Sequence, residues 1–106
     1  MAKYLFQVSY TAESVQALLK NGSSARKARS KQLIEGMGGK QEGYYLAFGE
    51  TDLYIIAELP DRETAAALAL YTSSSGSIKV KTTVLLTAEE ADKAAQKAAN
   101  YQPAEA

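Results

Sequence analysis

The stretch that most constrains how this 106-residue chain can fold is EGYYLAFGETDLYIIAELPD, Glu42 to Asp61. Two β-rich runs, Tyr44 to Phe48 and Leu53 to Leu59, flank the short polar loop Gly49-Glu50-Thr51-Asp52, and together they read as a β-hairpin. The second run is apolar at nearly every position. Such a strand has both faces covered and belongs inside a sheet rather than at a solvated edge. The hairpin thus sets two antiparallel neighbours and makes the second central, but it names no reaction.

The rest of the chain supplies partners for it. Lys3 to Tyr10 alternates, with Tyr4, Phe6, Val8 and Tyr10 on one face and Lys3, Leu5, Gln7 and Ser9 on the other. Thr11 can cap a helix from Ala12 whose apolar stripe is Val15, Leu18 and Leu19, interrupted at Asn21-Gly22. A second helical run, Ser24 to Met37, turns Ala25, Ala28, Leu33, Ile34 and Met37 toward a core and stops at Gly38-Gly39. After the hairpin, Pro60 ends the strand and Asp61 caps a helix from Arg62 to about Thr72, with Ala65, Leu68, Ala69 and Thr72 as its inner stripe. Ile78 to Leu86 is a last strand, Ile78, Val80, Thr82, Val84 and Leu86 opposing Lys79, Lys81, Thr83 and Leu85. Thr87 and Glu90 have capping-box spacing before an alanine-rich run to Asn100, which buries little apolar area and docks weakly. From Tyr101 on, a loose tail is expected.

Strand, helix, strand, strand, helix, strand is the split βαβ order of a ferredoxin-like α+β sandwich. Its four-stranded antiparallel sheet carries helices on one face, here with an extra C-terminal helix. The division expected is a domain over residues 1–87 and a helix with its tail over 88–106. The uncovered face then holds Leu5, Gln7, Tyr45, Ala47, Tyr54, Ile56, Glu58, Lys81, Thr83 and Leu85, a set too apolar to leave in water. Assembly with copies of the same chain, as a dimer or higher oligomer, would cover it.

Composition narrows the functions open to such a fold. Twelve basic and twelve acidic side chains cancel, so no long-range field favours nucleic acid or an anionic membrane. Neither Cys nor His is present, which removes disulfides, thiol chemistry and the usual zinc ligands; no metal or cofactor is expected. The N-terminus lacks the apolar core of a signal peptide, and no run approaches the ~20 residues of a membrane span, so a cytoplasmic protein is expected. Arg26, Lys27, Arg29 and Lys31 cluster on one helix without interleaved aromatic residues, which marks a solvated face rather than a base-stacking one. Gly43-Tyr44-Tyr45 lacks a basic flank and follows Glu42, unlike an RNA-stacking strand.

The candidate pocket is Gln7, Tyr45, Asp52, Tyr54, Glu58 and Lys81. Asp52 either accepts the backbone N–H groups of its own turn or stands at a pocket mouth. Glu58, by alternation, lies with Tyr54 and Ile56 on the face another subunit covers, where a carboxylate needs a cation such as Lys81 or a raised pKa. Tyr45 and Tyr54 beside Glu58 and Gln7 would give an apolar pocket with polar anchors, the make-up of a small-molecule site.

Gly38-Gly39-Lys40, Gly43-Tyr44-Tyr45, Gly49 with Asp52, and Pro60-Asp61 together resemble the GYD domain family, small prokaryotic proteins with a Gly-x-Tyr-Asp hairpin. The likeness runs from about Lys3 to Leu86. Thr51 stands where that family usually has Tyr, which removes any role of that phenol. The resemblance implies the dimeric α+β barrel variety of the fold, in which two sheets pair face to face. Structural relatives of that kind include cofactor-free monooxygenases, isomerase-like enzymes and ligand-sensing domains, and fold alone does not choose among them. Two functions follow. The first is a non-catalytic module that assembles through the open sheet face and takes a small apolar or aromatic molecule there. The alternative is a cofactor-free enzyme, monooxygenase-like or isomerase-like, with Glu58 or Asp52 as base and tyrosines as donors in an inter-sheet cavity lined by Glu58, Tyr54 and Gln7.

Overall fold

A computed structural model describes residues 1–101 of the chain. Its elements are β1 (Ala2–Tyr10), α1 (Ala12–Asn21), α2 (Ser23–Gly36), β2 (Lys40–Leu46), β3 (Leu53–Leu59), α3 (Arg62–Ser73), β4 (Ile78–Leu85) and α4 (Ala88–Ala99). All strand pairs are antiparallel and the sheet order is β2-β3-β1-β4, the arrangement expected of a ferredoxin-like α+β sandwich. The apolar strand β3 is internal, as its composition requires.

One face of the sheet meets the helices. Tyr4 and Phe6 of β1, Ala57 and Leu59 of β3, Ile34 of α2, and Ala65 and Leu68 of α3 form the buried core. Small residues on α3 let it lie close to the strands, and Asp61 caps its first turn by accepting from the Thr64 N–H at 2.8 Å. Gly38, with φ of 85°, ends α2 in a Schellman motif: its N–H reaches Glu35 O at 3.0 Å and the Gly39 N–H reaches Ile34 O at 2.9 Å. Gly39 is the tightest point of the fold. A Cβ there would collide with the Glu58 carbonyl and lie 2.6 Å from Leu59 Cδ2.

Three elements differ from the sequence expectation. β2 starts at Lys40 rather than Tyr44, with a register shift between Gln41 and Gly43 that sets Glu42 apart, and it ends before Phe48, which is exposed. In α1, Val15 and Leu19 face solvent, and the buried residue is Ser14, whose hydroxyl donates to Ser77 O at 2.6 Å. The helix is tied to the connection before β4 by hydrogen bonds rather than by an apolar stripe. In α2, Ala25 and Ala28 are exposed while Arg26, Ser30, Leu33, Ile34 and Met37 turn inward. The stripe is one residue out of phase with the alanines, because Ile34 sets the rotation and Ser30 and Arg26 fall one and two turns behind it.

α4 begins with the expected capping box, Glu90 N–H to Thr87 Oγ1 at 3.1 Å and Thr87 N–H to Glu90 Oε1 at 2.8 Å. None of its residues is buried, and with it the molecule extends 60 × 29 × 22 Å. The tail expected after Asn100 lies, from residue 102, outside the described residues.

Candidate functional site

Cross-strand register turns the open sheet face into three rows. Tyr45, Tyr54, Gln7 and Lys81 form the first, Gly43, Ile56, Leu5 and Thr83 the second, and Lys40, Glu58, Lys3 and Leu85 the third. Four of the six predicted pocket residues therefore do share one line across the sheet. Tyr45 reaches along its own strand: a Cβ on Gly43 would touch its ring at 3.0 Å, so the glycine lets the ring lie flat. Gln7 Oε1 accepts from the Thr51 hydroxyl at 3.2 Å.

Glu58 stands two rows away from this line and does not pair with Lys81. Its partner is Lys3, directly opposite on β1, with Nζ 2.9 Å from Glu58 Oε1 and 2.7 Å from Glu42 Oε1. The pairing is a register effect: Lys81 sits beside Gln7, four residues along β1 from Lys3, on the far side of the Leu5 row. Hydrogen bonding to Lys3, reinforced by its charge, holds the Glu58 carboxyl below its ordinary range. Hydrogen bonds to Glu42 and then to Glu58 raise the Lys3 ammonium correspondingly. Each side chain keeps nearly a third of its surface exposed, so in the single chain this is a solvated cluster and not a buried pair.

Asp52 does a different job from either expected one. Its carboxylate accepts the Tyr10 N–H at 2.8 Å, and its own N–H donates to Val8 O at 3.0 Å, so it fastens the hairpin loop to the end of β1. Tyr45 is 64 % exposed, and beside it Leu46 and Phe48 are exposed as well. Among the described residues of one chain, neither cavity brings Glu58, Tyr54 and Gln7 together. The hollow on this side, also about 270 Å³, lies among Gln7, Thr51, Glu50 and Lys81.

A second cavity, about 270 Å³, is on the opposite side, between the sheet and helices α2 and α3. Phe6, Val8, Leu53, Ile55 and Val80 make its floor, and Tyr10, Tyr44, Arg26, Arg29 and Ser30 are among its polar residues. Burial, and then the neighbouring Tyr10 phenol, push the Tyr44 hydroxyl up to about 12. The Arg26 guanidinium lies 5.4 Å from the centre of the Tyr10 ring. Sequence reasoning put Arg26 and Arg29 on a solvated face; Arg29 is indeed exposed, at the cavity rim, and Arg26 is the one that turns inward. The available signal was the spacing Arg26, Ser30, Leu33, Met37, which continues the Ile34 stripe with polar residues.

Among the described residues, no group of three or more acidic, His or Cys side chains could hold a metal ion, and no helix is long and apolar enough to cross a membrane. Comparison with curated proteins and with solved structures gives no significant match. The family model of the GYD domain matches residues 4–95, farther than the Leu86 limit of the motifs and into α4. With nine-tenths of the sequence inside that match, on a sheet of the expected order, the chain belongs to the GYD domain family.

Proposed function

We propose that this protein is a non-catalytic module that assembles with a second copy of itself through its open sheet face. The observation that carries this reading is the middle row, Ile56 and Leu5 with Gly43 and Thr83, flanked by Tyr45 and Tyr54 and by Leu85. Among the described residues no helix covers it, because α2 and α3, which build the core, lie on the other side. A face so apolar, with charges gathered at its ends, is the composition of an interface centre with a polar rim. The tyrosine pair gives a small aromatic molecule a place to stack between two such sheets.

The acids support binding over proton transfer. Glu58 is held ionised by Lys3 and is thereby a weaker base, and Asp52 is occupied by the Tyr10 N–H. The test is sedimentation equilibrium at micromolar concentration on the native chain and on Ile56→Lys. The native chain should sediment as a dimer or higher, and the variant as a monomer with an unchanged circular dichroism spectrum. A monomeric native chain would overturn the proposal.

A further inference from the structure

The cavity between the sheet and helices α2 and α3 stands apart from the open face, and its chemistry is one-sided. Its floor and walls are aliphatic and aromatic, and its polar groups are hydroxyls and two guanidinium groups, with no Asp or Glu among them. Tyr10 Oη is buried there without a hydrogen-bond partner, a state that costs stability unless something occupies the site. The Tyr44 hydroxyl adjoins the Tyr10 phenol and stays neutral far into the alkaline range. Arg26 spends one donor on Ser14 O, at 3.3 Å, and its plane on the Tyr10 ring. Neither Arg26 nor Arg29 meets a carboxylate among the described residues. A guanidinium offers five donors in a planar fork that suits a carboxylate, so two such groups beside an apolar hollow leave unmet capacity of a definite kind.

We infer that this cavity binds a small monocarboxylate with an apolar body, its carboxylate against Arg26 and Arg29 and its hydrocarbon or ring over Phe6, Ile55 and Val80. The Tyr10 hydroxyl is the third polar contact. At about 270 Å³ the cavity is at the small end of ligand pockets, which suits a medium-length acid rather than a nucleotide-sized cofactor. Charge complementarity selects the anion over its neutral analogues, because a neutral head group would leave both guanidinium groups as they are.

The test uses the full chain, octanoate and octan-1-ol, followed by amide chemical shifts. Octanoate should cause saturable shifts at Tyr10, Arg26, Tyr44 and Val80 and none at Tyr54 or Ile56, and octan-1-ol should bind the same residues about tenfold more weakly, the scale of one charge-assisted contact. Arg29→Gln and Arg26→Gln should each weaken octanoate about tenfold and leave octan-1-ol unchanged. Arg26 also holds Ser14, so Arg29, which makes no such bond, is the cleaner variant, and octan-1-ol binding reports that the cavity is intact. No saturable shift at millimolar octanoate overturns the inference. So do shifts confined to the open face, or Arg variants that bind octanoate as tightly as the native chain.

Discussion

Replacing Gly39 by Ala tests how closely α2 and β2 are locked to the centre of the sheet. An added Cβ would run into the Glu58 carbonyl, stand 2.6 Å from Leu59 Cδ2 and 3.2 Å from Ile34 Cγ2. Ordinary carbon contacts begin near ~3.5 Å. Leu59 and Ile34 are fully buried, so neither can swing into solvent, and the carbonyl belongs to β3 itself. The start of β2 would have to move outward by roughly an ångström, and forcing a methyl into packed surroundings costs about 1–3 kcal/mol. The reduced freedom of the unfolded chain returns about 0.4–1 kcal/mol, leaving a net loss of about 1–2 kcal/mol. For a domain of this size that lowers Tm by on the order of 10 °C. Gly36→Ala is the matched control: a Cβ there meets nothing, it sits in the last turn of α2, and helix propensity predicts a gain of up to about 1 kcal/mol. Thermal melts of the two variants should thus move in opposite directions. If Gly39→Ala melts at or above Gly36→Ala, the close approach of β2 to β3 is wrong.

The phenol of Tyr44 gives an alkaline test. Its folded pKa of about 12 exceeds the ordinary 10.0, so its contribution is intact below pH 10 and is lost as pH rises through 12. The gap is worth on the order of 2–3 kcal/mol at full desolvation and about 1 kcal/mol after screening of a partly exposed ring. Tyr44→Phe should flatten the fall in stability between pH 10 and 12, and an identical alkaline profile would refute it. At the acid end, Lys3→Met should let the Glu58 carboxyl rise toward its ordinary value, read by carboxyl-carbon shifts against pH. Because that carboxyl is depressed in the fold, its contribution is present above pH 4.5 and is lost as pH falls through the folded value. The native chain and Lys3→Met should therefore converge in Tm under strong acid, and an unshifted Glu58 titration would rule out Lys3 as its partner.

Periodicity made most of the fold legible. The period-two rule of a strand sorted the two faces of β1 and β3, and capping residues at Thr11, Asp61 and Thr87 marked three helix starts. β2 was harder, because Lys40-Gln41-Glu42 carries no apolar alternation and pairs only through its backbone to β3. Helix α2 misled for the opposite reason. Alanine is indifferent to burial, so Ala25 and Ala28 looked like a core stripe, while Arg26 entered the interior by laying its guanidinium on Tyr10. The candidate site shows the same division. Alternation placed Gln7, Tyr45, Tyr54 and Lys81 on one face, but Glu58's choice of Lys3 over Lys81 depends on inter-strand register, which a single strand's pattern does not contain. The cavity behind the sheet depends on how far α2 and α3 stand off, a distance set by many side chains at once.

Helix α4 gives the single chain two thermodynamic regimes. A twelve-residue helix with no buried side chain has only its cap and its own backbone to hold it, and helices of that length are marginal in water. Its amides should exchange with solvent through local opening at almost no free-energy cost, while those of β1, hydrogen-bonded on both sides, exchange only when the whole domain unfolds. Part of the helical signal would then fade gradually on heating, ahead of the cooperative loss of the sheet, and a single transition fitted to both would understate the stability of the core.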